Sequence, residues 1–133
     1  MSHFPSAAHL ASWAALCPGN HESAGKRRSG KTRKGNRWLR QALIEAAHGA
    51  ARSKNNYLAT QYRRLAARRG NKKAALAVAH SILVIVYHVL LRHKPYQDIG
   101  PNYFDERDKQ AVQRRLVKRL EKLGFKVDLR IPA

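Results

Sequence analysis

The stretch Ala74–Leu91, AALAVAHSILVIVYHVLL, decides the fold, because its eighteen residues include no Asp, Glu, Lys or Arg. Apolar residues on nearly every side predict a helix, Lys72 to about Arg92, at the centre of a bundle. The stretch also approaches the ~20 residues that cross a membrane. We favour the buried helix, because His80, Ser81 and His88 suit a protein interior better than lipid.

Three shorter helices are predicted before the central one. The first spans Ala7–Leu16 behind the cap Ser6, and the third spans Tyr57–Arg69. Asn36 is predicted to cap the second, whose leucines and alanines recur at helical spacing. The residues predicted to face the core are Leu10, Trp13 and Ala14 in the first helix, Leu39, Leu43, Ala46, Ala47 and Ala50 in the second, and Leu58, Tyr62 and Leu65 in the third.

A last helix is predicted to start near Asp105 and to end at Gly124, with acids at its amino end, as the helix dipole prefers. Its apolar seam consists of Val112, Leu116, Leu120 and Leu123. The fold class predicted is all-α: a single domain of about five helices with a central apolar helix and a basic loop. Residues 1–92 form the main part, and residues 93–133 are a loop plus an amphipathic helix expected to pack on the same domain.

The charge balance predicts a polyanionic partner. The chain has 27 Lys or Arg against 8 Asp or Glu, a formal net charge of +19. Sixteen of the cations fall between Lys26 and Lys73, where Glu45 is the one acid. Because phosphate binding needs clustered cations, this distribution favours nucleic acid over an anionic membrane surface. The alternative, a solvated charged surface, is weakened because so few carboxylates lie nearby in sequence.

Residues His21–Gly35 combine glycine, serine and positive charge with almost no apolar residues, which predicts a mobile basic loop. The segment Lys34-Gly35-Asn36-Arg37 places glycine and free helix amides beside two cations, which suits a phosphate oxygen. Trp38 could stack on a base, but its place beside Leu39 favours the core. The residues predicted to bind nucleic acid are Lys26, Arg27, Arg28, Lys31, Arg33, Lys34, Arg37 and Arg40.

Few other side chains suggest chemistry. Cys17 is the only cysteine, which excludes an intrachain disulfide, and we expect a small buried thiol rather than a nucleophile. His80 and His88 lie on roughly one side of the central helix, but two histidines without a third ligand are more typical of a core. No metal site is predicted from them.

Three motifs in order resemble the carboxy-terminal domain of transposases of the insertion-sequence-110 family (116/110/902 type). They are WAALCP at residues 13–18, ESAGK at residues 22–26 and TRKGNRWLR at residues 32–40. The resemblance extends from about Phe4 to Leu91. Ala15 stands where the family pattern usually has glycine, a small change that we expect to be tolerated.

The resemblance implies that residues 1–92 are a serine-bearing, DNA-binding transposase domain with Ser23 as the catalytic nucleophile; Ser29 is the fallback candidate. In the family, an amino-terminal ribonuclease-H-like domain supplies four metal-binding acids, so the divalent metal, Mg²⁺, is expected there and no cofactor is expected in this chain. The isolated chain is therefore expected not to cut DNA. Some family members are guided by a structured RNA, which leaves a guide RNA and a homo-oligomer open as partners.

The function predicted is DNA transposition by site-specific recombination in the bacterial cytoplasm, close to the nucleoid. A serine hydroxyl attacks a phosphodiester only if its proton is removed and the charge on the phosphorus oxygens is offset. Lys26, Arg27 and Arg28 could offset charge, and no base is evident beyond His21 or Glu22. The alternative is a non-catalytic basic nucleic-acid-binding module. Membrane attachment through the central helix ranks last.

Overall fold

The computed structural model describes residues 1–132 and is mostly α-helical, as predicted. The elements in chain order are α1 (Ala7–Trp13), β1 (His21–Ser23), β2 (Lys26–Ser29), α2 (Arg37–Arg52), α3 (Tyr57–Arg69), α4 (Asn71–Arg92), α5 (Tyr103–Arg107) and α6 (Lys109–Lys122). The chain divides into two units, Met1–Pro101 and Asn102–Ala133. The first unit holds α1 to α4 and both strands.

Helix α4 is the central element of the first unit, because α1, α2 and α3 all pack against it. One stripe of the helix is buried, formed by Ala74, Ala75, Val78, Ala79, Leu83 and Tyr87. Within residues 1–132, α4 is the one helix long and apolar enough to cross a membrane. Its contacts with three neighbouring helices fit the predicted role as the centre of a bundle.

Side chains cap the helices of the first unit as their sequences indicate. Ser6 and Asn36 accept hydrogen bonds from the backbone amides of His9 and Leu39, which confirms both predicted caps. Asn56 does the same for α3, accepting from the amide of Ala59. The caps satisfy amides that have no partner inside the helix and so fix where each helix begins.

The core of the first unit combines leucines with alanines, and the alanines allow the helices to approach closely. Its buried members are Leu10, Ala11, Ala14, Leu16, Leu43, Ala47, Val78, Ala79, Leu83 and Tyr87. The Tyr87 hydroxyl donates to the carbonyl of Phe4 at 3.0 Å, which ties the start of the chain to α4. Leu43 and Ala47 confirm the predicted inner face of α2.

Several expectations differ from the structure. Trp13 and Ala46, both predicted to face the core, are exposed. Trp38, predicted in the core, is 77% exposed because it lies in the first turn of α2, on the side away from Leu43. The basic loop contains a two-stranded hairpin. The last predicted helix is two helices, α5 and α6, because Asp108 leaves the helical conformation and caps α6 by accepting from the amide of Ala111.

Candidate nucleic-acid interface

The hairpin formed by β1 and β2 turns through only two residues. Ala24 and Gly25 have φ values of 51° and 72°, both in the left-handed region. Two consecutive left-handed residues match the right-handed twist of a tight antiparallel hairpin. The turn pairs Ser23 with Lys26, so the predicted nucleophile is the last residue before the hairpin tip. Both side chains are exposed.

Strand pairing sorts the hairpin side chains onto two faces. Glu22 pairs with Arg27 and Ser23 pairs with Lys26, and a register shift follows between His21 and Glu22. Because neighbouring residues of a strand point to opposite faces, Ser23 and Lys26 share one face with His21. Glu22 belongs to the other face, which removes it as a base for Ser23 and leaves His21.

The base of the hairpin is joined to the helices by Arg40. Its Nη1 donates to the carbonyl of Ala15 at 2.7 Å and to the hydroxyl of Thr32 at 2.9 Å. Thr32 also forms an isolated antiparallel bridge with Pro18. Arg40 therefore connects the chain entering the hairpin, the chain leaving it and α2. Its guanidinium is half-buried, unlike the other seven predicted binding cations, which are exposed.

A close backbone approach holds the segment between the hairpin and α2. A Cβ atom built on Gly35 would lie 2.6 Å from the Cβ of Ala15 and 2.8 Å from the carbonyl oxygen of Trp13. Only glycine fits at this distance. Ala15 has a φ of 55°, and the amides of Ala15 and Leu16 bond back to the last turn of α1. The left-handed conformation of Ala15 explains why the family pattern usually has glycine at residue 15.

The exposed Trp38 ring lies beside a cation. The guanidinium carbon of Arg37 is 5.9 Å from the centre of the ring. The pair begins α2, directly after the Asn36 cap. An exposed aromatic ring among cations is the kind of surface on which nucleic-acid bases stack.

A cleft of about 690 Å³ separates the hairpin from the junction of α3 and α4. Arg27 and Lys31 line it on the hairpin side, and the helices contribute Arg68, Arg69 and Lys73. No acidic residue lines it. Arg68 and Arg69 are two of the sixteen cations between Lys26 and Lys73, but the sequence gave no reason to place them opposite the hairpin.

The remaining candidate residues are not arranged for chemistry. Ser29 accepts a hydrogen bond from the backbone amide of Lys31 at 3.1 Å. Cys17 is half-buried and packs against the core. His80 is half-buried, and the Nδ1 atom of His88 is buried without a hydrogen-bond partner in the described chain. Across residues 1–132, no three His, Cys, Asp or Glu side chains come together as a metal site.

Fold and site together define a small helical domain that displays a strongly basic hairpin. Residues 1–63, which cover α1, the hairpin, α2 and the first half of α3, match the family model Transposase IS116/IS110/IS902. The match supports an IS110-family transposase domain over these residues, in agreement with the resemblance of the three motifs. Searches of curated proteins and of solved structures found no match.

Proposed function

We propose that this transposase domain binds DNA through the hairpin and the start of α2 and presents Ser23 to a phosphodiester as a nucleophile. The observation that supports this most strongly is the position of Ser23, which is exposed, lies directly before the hairpin turn and pairs with Lys26. The exposed cations on the hairpin and on the segment up to Arg37 supply the charge that a DNA backbone requires.

The proposed step is a transfer of the phosphodiester to the protein. The Oγ atom of Ser23 bonds to phosphorus, the bond from phosphorus to one deoxyribose oxygen breaks, and the Oγ proton ultimately passes to that oxygen. Lys26, paired with Ser23 across the strands, is placed to offset charge on the non-bridging oxygens. His21 shares the Ser23 face and is the candidate to accept the proton first.

The divalent metal that the resemblance implies does not fit this chain, since the described residues gather no group of three ligands. We therefore assign the metal-dependent part of the reaction to an amino-terminal ribonuclease-H-like domain. The hairpin would contribute the nucleophile and the cations, and the other domain would contribute the acids. This division predicts that the chain alone binds DNA without cutting it.

The test combines the chain with the amino-terminal domain of an intact family member and a DNA that carries the insertion-sequence end. A covalent protein–DNA species that survives denaturation is expected with the wild type and with Ser29→Ala, but not with Ser23→Ala. Both variants should bind DNA as the wild type does. Adduct formation by Ser23→Ala would overturn the nucleophile assignment. Absence of an adduct with every folded protein would favour the non-catalytic module.

A further inference from the structure

We infer that the cleft between the hairpin and the α3–α4 junction binds one phosphodiester strand, with cations contacting the strand from both sides. This inference rests on the proposed nucleic-acid binding. It adds a second wall, formed by Arg68, Arg69 and Lys73, which lies beyond residue 63, where the family-model match ends. Five cations and no acid line the cleft. Five positive charges around one cleft repel each other, and this repulsion destabilises the folded protein unless an anion binds there.

The hairpin wall is held in place by its own backbone contacts. The amide of Lys31 donates to Ser29 Oγ at 3.1 Å, and its carbonyl accepts from the amide of Gly19, also at 3.1 Å. A Cβ atom on Gly30 would lie 3.0 Å from Nη2 of Arg27, so the Arg27 side chain folds along Gly30. Both cations of this wall are therefore presented by a fixed loop.

The helical wall follows from helix periodicity. Leu65, Arg68 and Arg69 are three and four residues apart and line the cleft together. Lys73 lies in the first turn of α4, where the positive end of the helix dipole adds to its charge. The cations of this wall are exposed, so their side chains are free to reach a phosphate.

The apolar part of the cleft lining distinguishes a single strand from a duplex. Besides the cations, the lining includes Leu65 and Leu76, which are half-buried, and Leu16, which is buried. Phosphates would be hydrated and held by the cations, whereas sugars and base faces can lie on the apolar side chains. In a duplex the phosphates point outwards and the bases are paired inside, so its sugars and bases cannot contact the lining of a cleft of about 690 Å³. No aromatic side chain lines the cleft, so we expect binding without base preference.

The experiment measures binding of the full chain to a labelled single-stranded oligodeoxynucleotide across a range of salt concentrations. The test variant is Arg68→Gln/Arg69→Gln/Lys73→Gln. The matched control, Arg52→Gln/Lys54→Gln/Lys94→Gln, removes three exposed cations of the same unit that do not line the cleft. Circular dichroism confirms equal helix content in all three proteins.

We expect the slope of log affinity against log salt to fall by about 2 in the cleft variant, since each single-strand phosphate contact contributes roughly 0.7. The control should lose less than half of that. Equal losses in the two variants, or an equal loss on a duplex probe, would overturn the inference while leaving the proposed function standing. If the wild type binds no oligonucleotide, both fail.

An RNA of the same sequence serves as the second arm. A selective loss of affinity in the cleft variant for DNA identifies a DNA strand as the occupant, and a selective loss for RNA identifies an RNA strand. A loss for both supports a site for the phosphodiester backbone itself. Each of these results is consistent with the cleft inference, because the cations recognise phosphate and not the sugar.

Discussion

Glycine at position 35 is needed because of crowding rather than backbone conformation. An added methyl group would meet the backbone of α1's last turn at under 3 Å. We expect Gly35→Ala to lower the free energy of unfolding by about 1–3 kcal/mol, the usual cost of overpacking. Thermal or urea unfolding measures the change.

The matched control for this substitution is Gly49→Ala. Gly49 lies inside α2, and nothing approaches within 4 Å of an added Cβ. Alanine is the better helix former by roughly 0.5–1 kcal/mol, so this variant should be more stable than the wild type. If both substitutions change stability in the same direction, the close approach at residue 35 is not what makes glycine necessary there.

Tyr96, in the described part of the chain, has a clearly shifted titration. Burial, followed by the charge and hydrogen bond of Asp98, raises the pKa of Tyr96 to about 12. The Tyr96 hydroxyl donates to Asp98 at 3.3 Å. Since the unfolded value is 10.0, the stabilisation is complete below pH 10 and is lost as the pH rises towards 12.

Ultraviolet absorbance of tyrosinate checks this prediction, because the difference between wild type and Tyr96→Phe isolates a single titration. We expect Asp98→Asn to lower the pKa of Tyr96 only part of the way to its ordinary value, since burial is the larger cause. A titration of Tyr96 near pH 10 in the wild type would contradict the contact with Asp98.

Trp38 shows what a residue pattern leaves undecided. The neighbouring Leu39 is half-buried and packs against the core, whereas Trp38 is 77% exposed. Adjacent helical residues point about a quarter-turn apart, so an apolar neighbour is no guide to burial at the edge of a stripe. Hydrophobic spacing located Leu43 and Ala47 in the core because both lie near the middle of that stripe.

At the scale of elements, the helices could be predicted and the hairpin could not. Apolar residues at helical spacing and the caps Ser6 and Asn36 are signals within a few positions of each other. Residues 21–29 show no alternation of apolar and polar side chains, and all are exposed. Instead, the hairpin depends on the Ala24-Gly25 turn and on Arg40, which lies eleven residues beyond β2.

Arg40 should therefore act on stability as well as on binding. Arg40→Gln removes the hydrogen bonds to Ala15 and Thr32 and should lower the free energy of unfolding by about 1–3 kcal/mol. Lys34→Gln removes the same charge from an exposed side chain and should stay within about 0.5 kcal/mol of the wild type. Denaturant unfolding compares the two. Equal stability of these variants would refute the anchoring role of Arg40.

On the scale of the whole molecule, the predicted binding surface was incomplete because it included only cations that are close together in sequence. The hairpin cations are neighbours in sequence, whereas Arg27 and Arg68 share a cleft although forty-one positions separate them. They reach the same cleft because α3 packs on α4 and because Arg40 holds the base of the hairpin against the helices. The sequence can indicate that both segments are basic, but not that they face a common space.

Most of the net charge, +15 of +19, and the whole core cluster lie in the first unit. Residues 1–101 hold eighteen of the 27 Lys or Arg and three of the 8 acids, and every member of the core cluster lies within them. We therefore expect a chain ending at Pro101 to unfold cooperatively and to keep most of the salt-dependent affinity for DNA. Calorimetry and binding across salt concentrations test the two parts separately. Loss of cooperative unfolding on truncation would mean that residues 102–133 complete the core, as the predicted packing of the last helix on the same domain requires.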